Sequence, residues 1–550
     1  MDVASAVSPP VLRRIRELAE LLPGILSTTA TAATLVIGIL LVLLAHALSR
    51  RKRRAWRAVV GLLGFSVAAH VVKGLDLGEA SVSAALLVVL LLLRREFYAQ
   101  GDPRTRWRAL WVFLGLAVAD VVLGLAIVSV RPRQLLGAPG LAERLSHVLQ
   151  GLVGVTGPLR FHSPRVAEVV STSLLALGLL TLLVTAYLVL RPPEPAPHLS
   201  AEDEAAMRAL LAAHGWRDSL GYFALRRDKS VLWSPTRKSA IAYRVVSGVM
   251  LASGDPLGDP EAWPGAIAEF CAQADRHAWV PAVMGCSELG GQVWVREAGL
   301  QALDIGDEAV VDVAEFSLEG RAMRNVRQMV NRVERAGYAC QVRRLRDIPP
   351  AERDLLRRQA AAWRHSETER GFSMALGRFG DPADGDCVAV TAVHQETLRG
   401  LLHFVPWGED GLSLDLMRRD ATAEPGLNEL LIVAALRQAP ELGVRRLSLN
   451  FAAFRSAFER GERLGAGPVV RAWRRVLLFL SRWFQIESLY RFNAKFQPRW
   501  LPRFVVYPDA GDLPRIAVAA LEAEAFLVVP SLLRRRRRRT DREPSDLAAV

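Results

Sequence analysis

VVSTSLLALGLLTLLVTAYLVLRPPEPAPH, residues 169–198, is the stretch that decides the architecture. Val169–Leu190 carries no charged residue, and about 20 such residues suffice for a helix to cross a bilayer. The next eight residues, 191–198, hold four prolines and read as a stiff, extended linker. A membrane module therefore ends here and a water-soluble one begins. Toward the N-terminus lie four more apolar segments, Gly24–Leu48, Trp56–Val72, Ala80–Leu93 and Leu110–Val130. The third is short for a span, and the first lies too far inside the chain to be a cleaved signal peptide. Residues 140–156 read as an amphipathic interfacial helix or a partial sixth span. No pair of buried carboxylates is visible within the five main segments.

Charge orients this module. Arg50, Arg51, Lys52, Arg53 and Arg54 follow the first segment, and Arg94, Arg95, Arg104, Arg106 and Arg108 follow the third. Arg191 follows the fifth. The positive-inside rule places these loops, and everything beyond residue 191, in the cytoplasm. The expected layout is a transmembrane region of about five helices over residues 1–192.

The averages over all 550 residues agree with this division. Mean hydropathy is +0.19 and 51% of residues are hydrophobic, which excludes a disordered or collagen-like chain. The net charge of +14 points to an anionic partner, either nucleic acid or an acidic membrane surface. Cys271, Cys286, Cys340 and Cys387 show no CxxC spacing, so neither a zinc site nor a disulfide framework is expected.

Beyond the linker, helices are expected at Ala201–His214, Glu261–His277, 321–337, 351–363 and Asn428–Gln438. GYFAL, AIAYRVV, GVMLAS, VPAVMG, AVVDVAEF, CVAVTAVH, GLLHFVPW, GLSLDLM and RRLSLNF read as strands. Two rounds of this grain suggest two α/β domains, 193–345 and 346–528, followed by a basic disordered tail over 529–550 with six arginines, Arg534–Arg539.

No P-loop, GxGxxG, HExxH or nucleophile elbow is present in this half. SGDPLGDP, 253–260, is a turn-rich loop that either approaches a ligand or only turns the chain. In SLDLMRRD, 413–420, alternation puts Asp415, Met417 and Arg419 on one strand face and Arg418 on the other, unless the strand bulges. A semi-buried acid must be paired or solvated. Asp415 is thus a candidate for holding a cation or accepting a proton, with a structural ion pair as the plainer alternative. Glu367 and Glu369 stand beside Gly-Phe-Ser-Met, where they bind an ammonium group or cap a helix. In residues 482–508, six aromatics precede Arg503 and interleave with Arg491, Lys495, Arg499 and Arg503. That pattern suits stacking on nucleotides with phosphate pairing, a membrane interface, or an aromatic core cluster. Asn450 lies just upstream, in position to join the same cleft.

GYFALRRDKS (221–230), ASGDPLGDP (252–260), IGDEAVVDVAEFSLEG (305–320), RGFSMALGR (370–378), DLMRR (415–419), GLNELLI (426–432) and YRFNAKFQPRW (490–500) occur in that order. Together they make the chain resemble the lysyl-phosphatidylglycerol synthases, the multiple peptide resistance factor family, over most of 200–525. The resemblance implies tandem GNAT (acetyltransferase-like) domains behind a helical transmembrane region. It implies transfer of an amino acid, usually lysine, from aminoacyl-tRNA to phosphatidylglycerol at the cytoplasmic face of a bacterial cell membrane. A separate synthetase would supply the lysyl-tRNA, and no cofactor is implied because donor and product linkages are both esters. Carried onto this sequence, the expected catalytic residues are Asp415, Arg418 and Lys495. Glu367, Glu369, Asn450, Tyr490 and Arg491 are the expected substrate-binding residues. The alternatives are transfer to another lipid or to a peptidoglycan precursor, and a non-enzymatic membrane lipid-binding scaffold.

Overall fold

The computed structural model describes residues 77–94, 103–130, 135–190, 194–364, 371–453 and 486–525, with a few positions between 44 and 64. The first two apolar segments lie mostly outside these residues, and the arginine tail lies wholly outside them. Contacts divide the chain into a unit that ends at Pro193 and a unit that begins at Glu194.

The first unit is helical: α1 (Leu77–Leu92), α2 (Pro103–Ser129), α3 (Leu141–Leu152) and α4 (Pro164–Leu190). Two stretches are long and apolar enough to cross a bilayer, Leu110–Ser129 with hydropathy 2.4 and Pro164–Val189 with hydropathy 2.2. At 16 residues α1 is short for a span, as its sequence suggested. Residues 140–156 supply α3, which packs on α2 and α4 through glycines. A Cβ on Gly178 would lie 2.0 Å from the Leu152 carbonyl oxygen, so only glycine admits α3 at this point. The spans are not wholly apolar inside. Buried Asp120 of α2 accepts a hydrogen bond of 2.7 Å from Thr181 Oγ1 of α4, a polar tie between helices.

The second unit is a mixed sheet with helices on both faces. Its strands are β1 (Ser230–Trp233), β2 (Ser239–Val246), β3 (Val249–Ser253), β4 (Leu257–Gly258), β5 (Val280–Cys286), β6 (Gln301–Asp312), β7 (Ala339–Arg344), β8 (Val388–His394), β9 (Thr397–Trp407), β10 (Gly411–Arg419), β11 (Arg446–Ala453) and β12 (Arg499–Tyr507). Its helices are α5 (Ala201–His214), α6 (Trp263–His277), α7 (Glu288–Ala298), α8 (Arg324–Arg335), α9 (Pro350–Ala362), α10 (Leu427–Gln438), α11 (Ile486–Ala494) and α12 (Leu513–Ala523). The sheet order is β1-β2-β3-β5-β12-β6-β11-β10-β9-β8-β7, with β4 beside β2. The β3–β5 and β10–β11 steps are parallel and every other pairing is antiparallel. The antiparallel pair β12–β6 sits between the two parallel steps.

Local chemistry explains these elements. Ser200 caps α5 by accepting the Asp203 N–H, and acidic residues occupy the first turn. In α8, Val326, Val330 and Val333 fall at helical spacing on one face and are buried, while arginines, amides, Met329 and Glu334 take the rest. That face and α10 cover one side of β8–β11 in a core with Leu402, Phe404, Leu412 and Leu414. A second core with Leu401 and Val405 covers the other side, against α5, α9 and residues 220–225.

GYFAL is not a strand. Gly221–Leu225 is a buried 3-10 turn that Asp218 starts by accepting the Leu220 N–H at 3.1 Å. All five of its residues are buried, so there is no exposed face for strand alternation to mark. The four cysteines are free.

Candidate functional site

β10 and β11 are hydrogen-bonded neighbours only from Gly411–Ser413 to Arg446–Ser448, although both strands run on. Beyond Ser413 and Ser448 they part, and the released backbone groups need partners. Asn450 supplies them. It adopts a left-handed backbone (φ +70°), a conformation Asn tolerates. Its Nδ2 donates to the Leu414 carbonyl at 2.8 Å and to the Met374 carbonyl at 3.2 Å. Its Oδ1 accepts the Phe451 N–H at 2.8 Å.

A bulge sits at the same point of β10. Leu414 pairs with Phe404 and Leu416 with His403, which leaves Asp415 as the extra residue. The bulge changes which side chains share a face. Leu414 and Met417 pack in one core while Leu416 packs in the other, and Arg418 pairs across from Leu401 of that second core. Arg418 therefore lies on the face of His403, where Asp415 also points. Regular alternation would have separated Asp415 from Arg418.

The Asp415 side chain is only 4% exposed and that of His403 is fully buried. Asp415 Oδ1 accepts the Leu376 N–H at 2.6 Å, and Oδ2 lies 2.7 Å from His403 Nδ1. When the Nδ1–H donates to Asp415, Nε2 is left as a lone-pair acceptor. That Nε2 is buried and has no hydrogen-bond partner among the described residues. The Phe379 ring meets the imidazole edge-to-face at 4.9 Å between centroids.

The segment 371–378 crosses this face and is fastened along its length. Glu524 accepts the Phe372 N–H at 2.6 Å, the Ser373 N–H at 3.1 Å and the Ser373 hydroxyl at 2.6 Å. Arg226 donates to the Ala375 carbonyl at 3.1 Å. Arg378 reaches buried Asp384 at 2.7 Å, which also takes Arg208 at 2.6 Å and the Tyr222 hydroxyl at 2.9 Å. Burial opposes ionisation of Asp384, but Arg378 and Arg208 hold its carboxyl below the usual range. Lys229 is fully buried beneath the segment, with its ammonium 4.7 Å from the Phe372 ring centroid.

The structure thus brings Asp415, Arg418 and Asn450 to one wedge. Lys495 engages a different partner. Its Nζ lies 2.7 Å from Glu429 in the first turn of α10, the helix that covers the opposite sheet face. Tyr490 packs its ring against Trp500 at 5.2 Å, and Arg491 is exposed on α11. Glu367 and Glu369 lie outside the described residues.

Arg503 departs from the expected basic–aromatic surface. It is 3% exposed, because β12 runs through the middle of the sheet. Its guanidinium meets Asp218 at 2.7 Å, Ser219 Oγ at 2.6 Å and Glu308 at 3.0 Å, and Ser448 also bonds to Glu308. Asp255, from the turn-rich loop, joins this network through a contact of 3.4 Å between its N–H and Asp218. It is fixed by the Ser287 N–H at 2.8 Å and the Ser287 hydroxyl at 2.5 Å. Burial and the neighbouring Asp218 push its carboxyl up to about 7.

His403, Glu429, Lys229 and Glu524 escaped the sequence reading. Two signals were present: His403 is a lone imidazole in the apolar run GLLHFVPW, and Lys229 is one of five lysines in the chain.

Residues 208–507 match the family model described as phosphatidylglycerol lysyltransferase, C-terminal, and residues 2–190 match one described as the transmembrane region of lysyl-tRNA synthetase. With two apolar helices of spanning length, this makes the chain a membrane protein. It is 43% identical over 503 residues to the lysylphosphatidylglycerol biosynthesis bifunctional protein LysX of Mycolicibacterium vanbaalenii, covering 89% of this chain and 45% of that one. The protein of the same name from Rhodococcus jostii is 44% identical over 497 residues, covering 89% and 44%. The chain thus spans less than half the length of these relatives. The structure of L-PGS from Bacillus licheniformis shares its fold, with a TM-score of 0.53 at 20% identity over 61% of this chain and 99% of that one.

Proposed function

The chain belongs to the phosphatidylglycerol lysyltransferase family, and from that premise we propose that it moves a lysyl group from charged tRNA to a glycerol hydroxyl of phosphatidylglycerol at the cytoplasmic face of a bacterial membrane. One observation carries this reading: the matched residues, 208–507, contain the whole β10–β11 wedge, with Asp415, His403, Arg418 and Asn450. The relatives' names, which specify lysylphosphatidylglycerol biosynthesis, support lysine and this lipid.

The reaction exchanges one ester for another. The lipid hydroxyl oxygen attacks the aminoacyl carbonyl carbon, the new C–O bond forms, and the bond to the terminal ribose oxygen breaks. The proton released by the hydroxyl ends on that ribose oxygen, so no energy-rich cofactor is consumed. Asp415 and His403 are the pair that accepts and returns the proton. Both oxygens of Asp415 are already engaged, which favours this role over holding a substrate ammonium. Arg418, on the same face, offers charge to a phosphate or to the developing oxyanion. Lys495 and Glu429 form a second charged pair for the tRNA end, alongside Tyr490 and Arg491.

The same reading takes the soluble unit as two acetyltransferase-like halves, 193–345 and 346–528. The parallel step on either side of the central β12–β6 pair supports a repeat, with β12 of the second half lodged beside β5 of the first. Several crossings of the membrane and a cytoplasmic catalytic unit follow from the charge asymmetry of the loops.

Purified full-length protein, given lysyl-tRNA with labelled lysine and phosphatidylglycerol vesicles, is expected to yield labelled lysyl-phosphatidylglycerol by mass spectrometry. Intact charged tRNA and unmodified lipid after prolonged incubation would refute the reading.

A further inference from the structure

A cavity of about 580 Å³ opens between the ends of β6 and β12 and the loop that leads into α8. That volume suits a small ligand or a single nucleotide. Its wall carries Arg321 and Arg499 together with Asp312, Glu315 and Glu319, and Phe316 offers a half-buried ring.

The arginines around it differ in commitment. Arg446 is spoken for: it pairs with Asp410 at 3.1 Å, donates to the Trp216 carbonyl at 3.0 Å and stacks on Trp407 at 4.0 Å. Arg332, further along α8, pairs with Glu424 at 2.7 Å. Arg321 and Arg499 are exposed and their side chains make no hydrogen bond or ion pair among the described residues. The same holds for Arg324 at the start of α8.

Uncommitted guanidinium groups at a cavity mouth fit phosphate. Carboxylates beside them fit amino-group donors, as when Asp or Glu accepts from a cytosine amine. A single-stranded nucleotide carries both groups and adds a base that stacks on a ring. An anionic bilayer surface carries phosphate but would press it against three carboxylates. The cavity adjoins the Lys495–Glu429 pair through the chain itself. Phe496 and Gln497, which directly follow Lys495, line it, and Arg446 opens the strand that carries Asn450.

We propose that this cavity receives a nucleotide of the single-stranded acceptor end of the charged tRNA, with Arg321 and Arg499 on its phosphates and Arg324 on the adjoining backbone. The assignment rests on the aminoacyl-tRNA reading above.

The test uses the full chain in detergent micelles and the double variant Arg321→Glu/Arg499→Glu. Binding of labelled tRNA is measured between about 50 and 200 mM salt, and lysyl transfer is measured with tRNA and lipid varied in turn. The Kd and KM for tRNA are expected to rise at least ~10-fold, and the salt slope to shrink by about 1.4 for two lost single-strand contacts. The KM for phosphatidylglycerol is expected to stay unchanged, and the Arg321→Lys/Arg499→Lys variant to recover most of the tRNA affinity. Wild-type tRNA affinity in the glutamate variant overturns the assignment and leaves the transferase reading standing. A raised lipid KM with tRNA binding intact overturns it in favour of a lipid-phosphate site. A wild-type protein that binds no tRNA removes the transferase reading and this assignment together.

Discussion

Lys229→Met tests how the motif blocks are held together. Lys229 stands near the end of the block GYFALRRDKS, and its Nζ donates to the Phe223 carbonyl at 2.9 Å and to Ser253 Oγ at 2.7 Å. With the Phe372 ring 4.7 Å away, one ammonium ties residues 221–230 to 252–260 and to 370–378. Its Nζ meets no carboxylate among the described residues. Burial is the main influence, reinforced by Arg226 and resisted by Asp228 and Glu524, and it brings the lysine down to about 7 from 10.5. Between those values the unfolded chain binds one proton more than the folded one, so stability rises with pH across the window. The gain is complete above about 10.5 and absent below about 7. A gap of about 3.5 units is worth about 5 kcal/mol.

Methionine has similar bulk and no charge, so it abolishes this slope. It also leaves the Ser253 hydroxyl and the Phe223 carbonyl without their donor, at about 1–3 kcal/mol for each group. The variant should therefore be close to wild type at about pH 6 and clearly less stable at about pH 10, with the gap widening by about 4 kcal/mol. Unfolding of both proteins in detergent, followed by tryptophan fluorescence, gives that gap, and other titrating groups cancel in the difference. A gap that stays constant with pH refutes the claim that a depressed lysine sits beneath Phe372.

The other predictions concern single positions. Asp415→Asn keeps the shape but removes the carboxylate that holds the His403 Nδ1–H and leaves Nε2 as acceptor, so kcat should fall about 100-fold with little change in either KM, and a wild-type turnover rate would exclude the proposed role. Asp255 binds a proton in the folded state that the unfolded chain has lost between about pH 4 and 7, so its contribution to stability declines as pH rises through that range. Asp255→Asn should flatten the decline, and melting curves across the range will show whether it does. Gly258 has φ +90°, and a Cβ there would lie 2.2 Å from the Lys238 carbonyl oxygen, so Gly258→Ala should cost more than about 1 kcal/mol in a denaturant midpoint measurement.

Much of the fold was legible because local rules and burial agree. Ala201–His214 has its cap and acidic first turn, and Val326, Val330 and Val333 mark one helical face. β12 shows where local rules stop. RWLPRFVVY sets Arg499 and Arg503 in phase along the strand, and Arg499 is indeed exposed. Arg503 is buried because β12 inserts between β5 and β6, strands about 200 residues earlier in the chain. Its acidic partners are Glu308 of β6 and Asp218 from a further segment, and no periodicity within 499–507 announces them.

The wedge carries the same lesson into the candidate site. From the alternation of SLDLMRRD alone, Asp415 and Arg418 belong to opposite faces unless the strand ends or bulges there. One extra residue in β10 reverses that, and no residue type in the stretch marks the bulge, since it forms against the His403–Phe404 register of β9. The bulge decides which side chains meet. It brings Arg418 onto the face of Asp415 and His403, and next to it the Leu414 carbonyl accepts from Asn450 where β10 parts from β11. The shared face of Asp415 and Arg418 is thus a consequence of one register shift, set beside the point where β10 and β11 part. Deleting Asp415 would restore regular pairing with Arg418 still opposite Leu401, so it would lose the carboxylate while keeping Arg418 on its face.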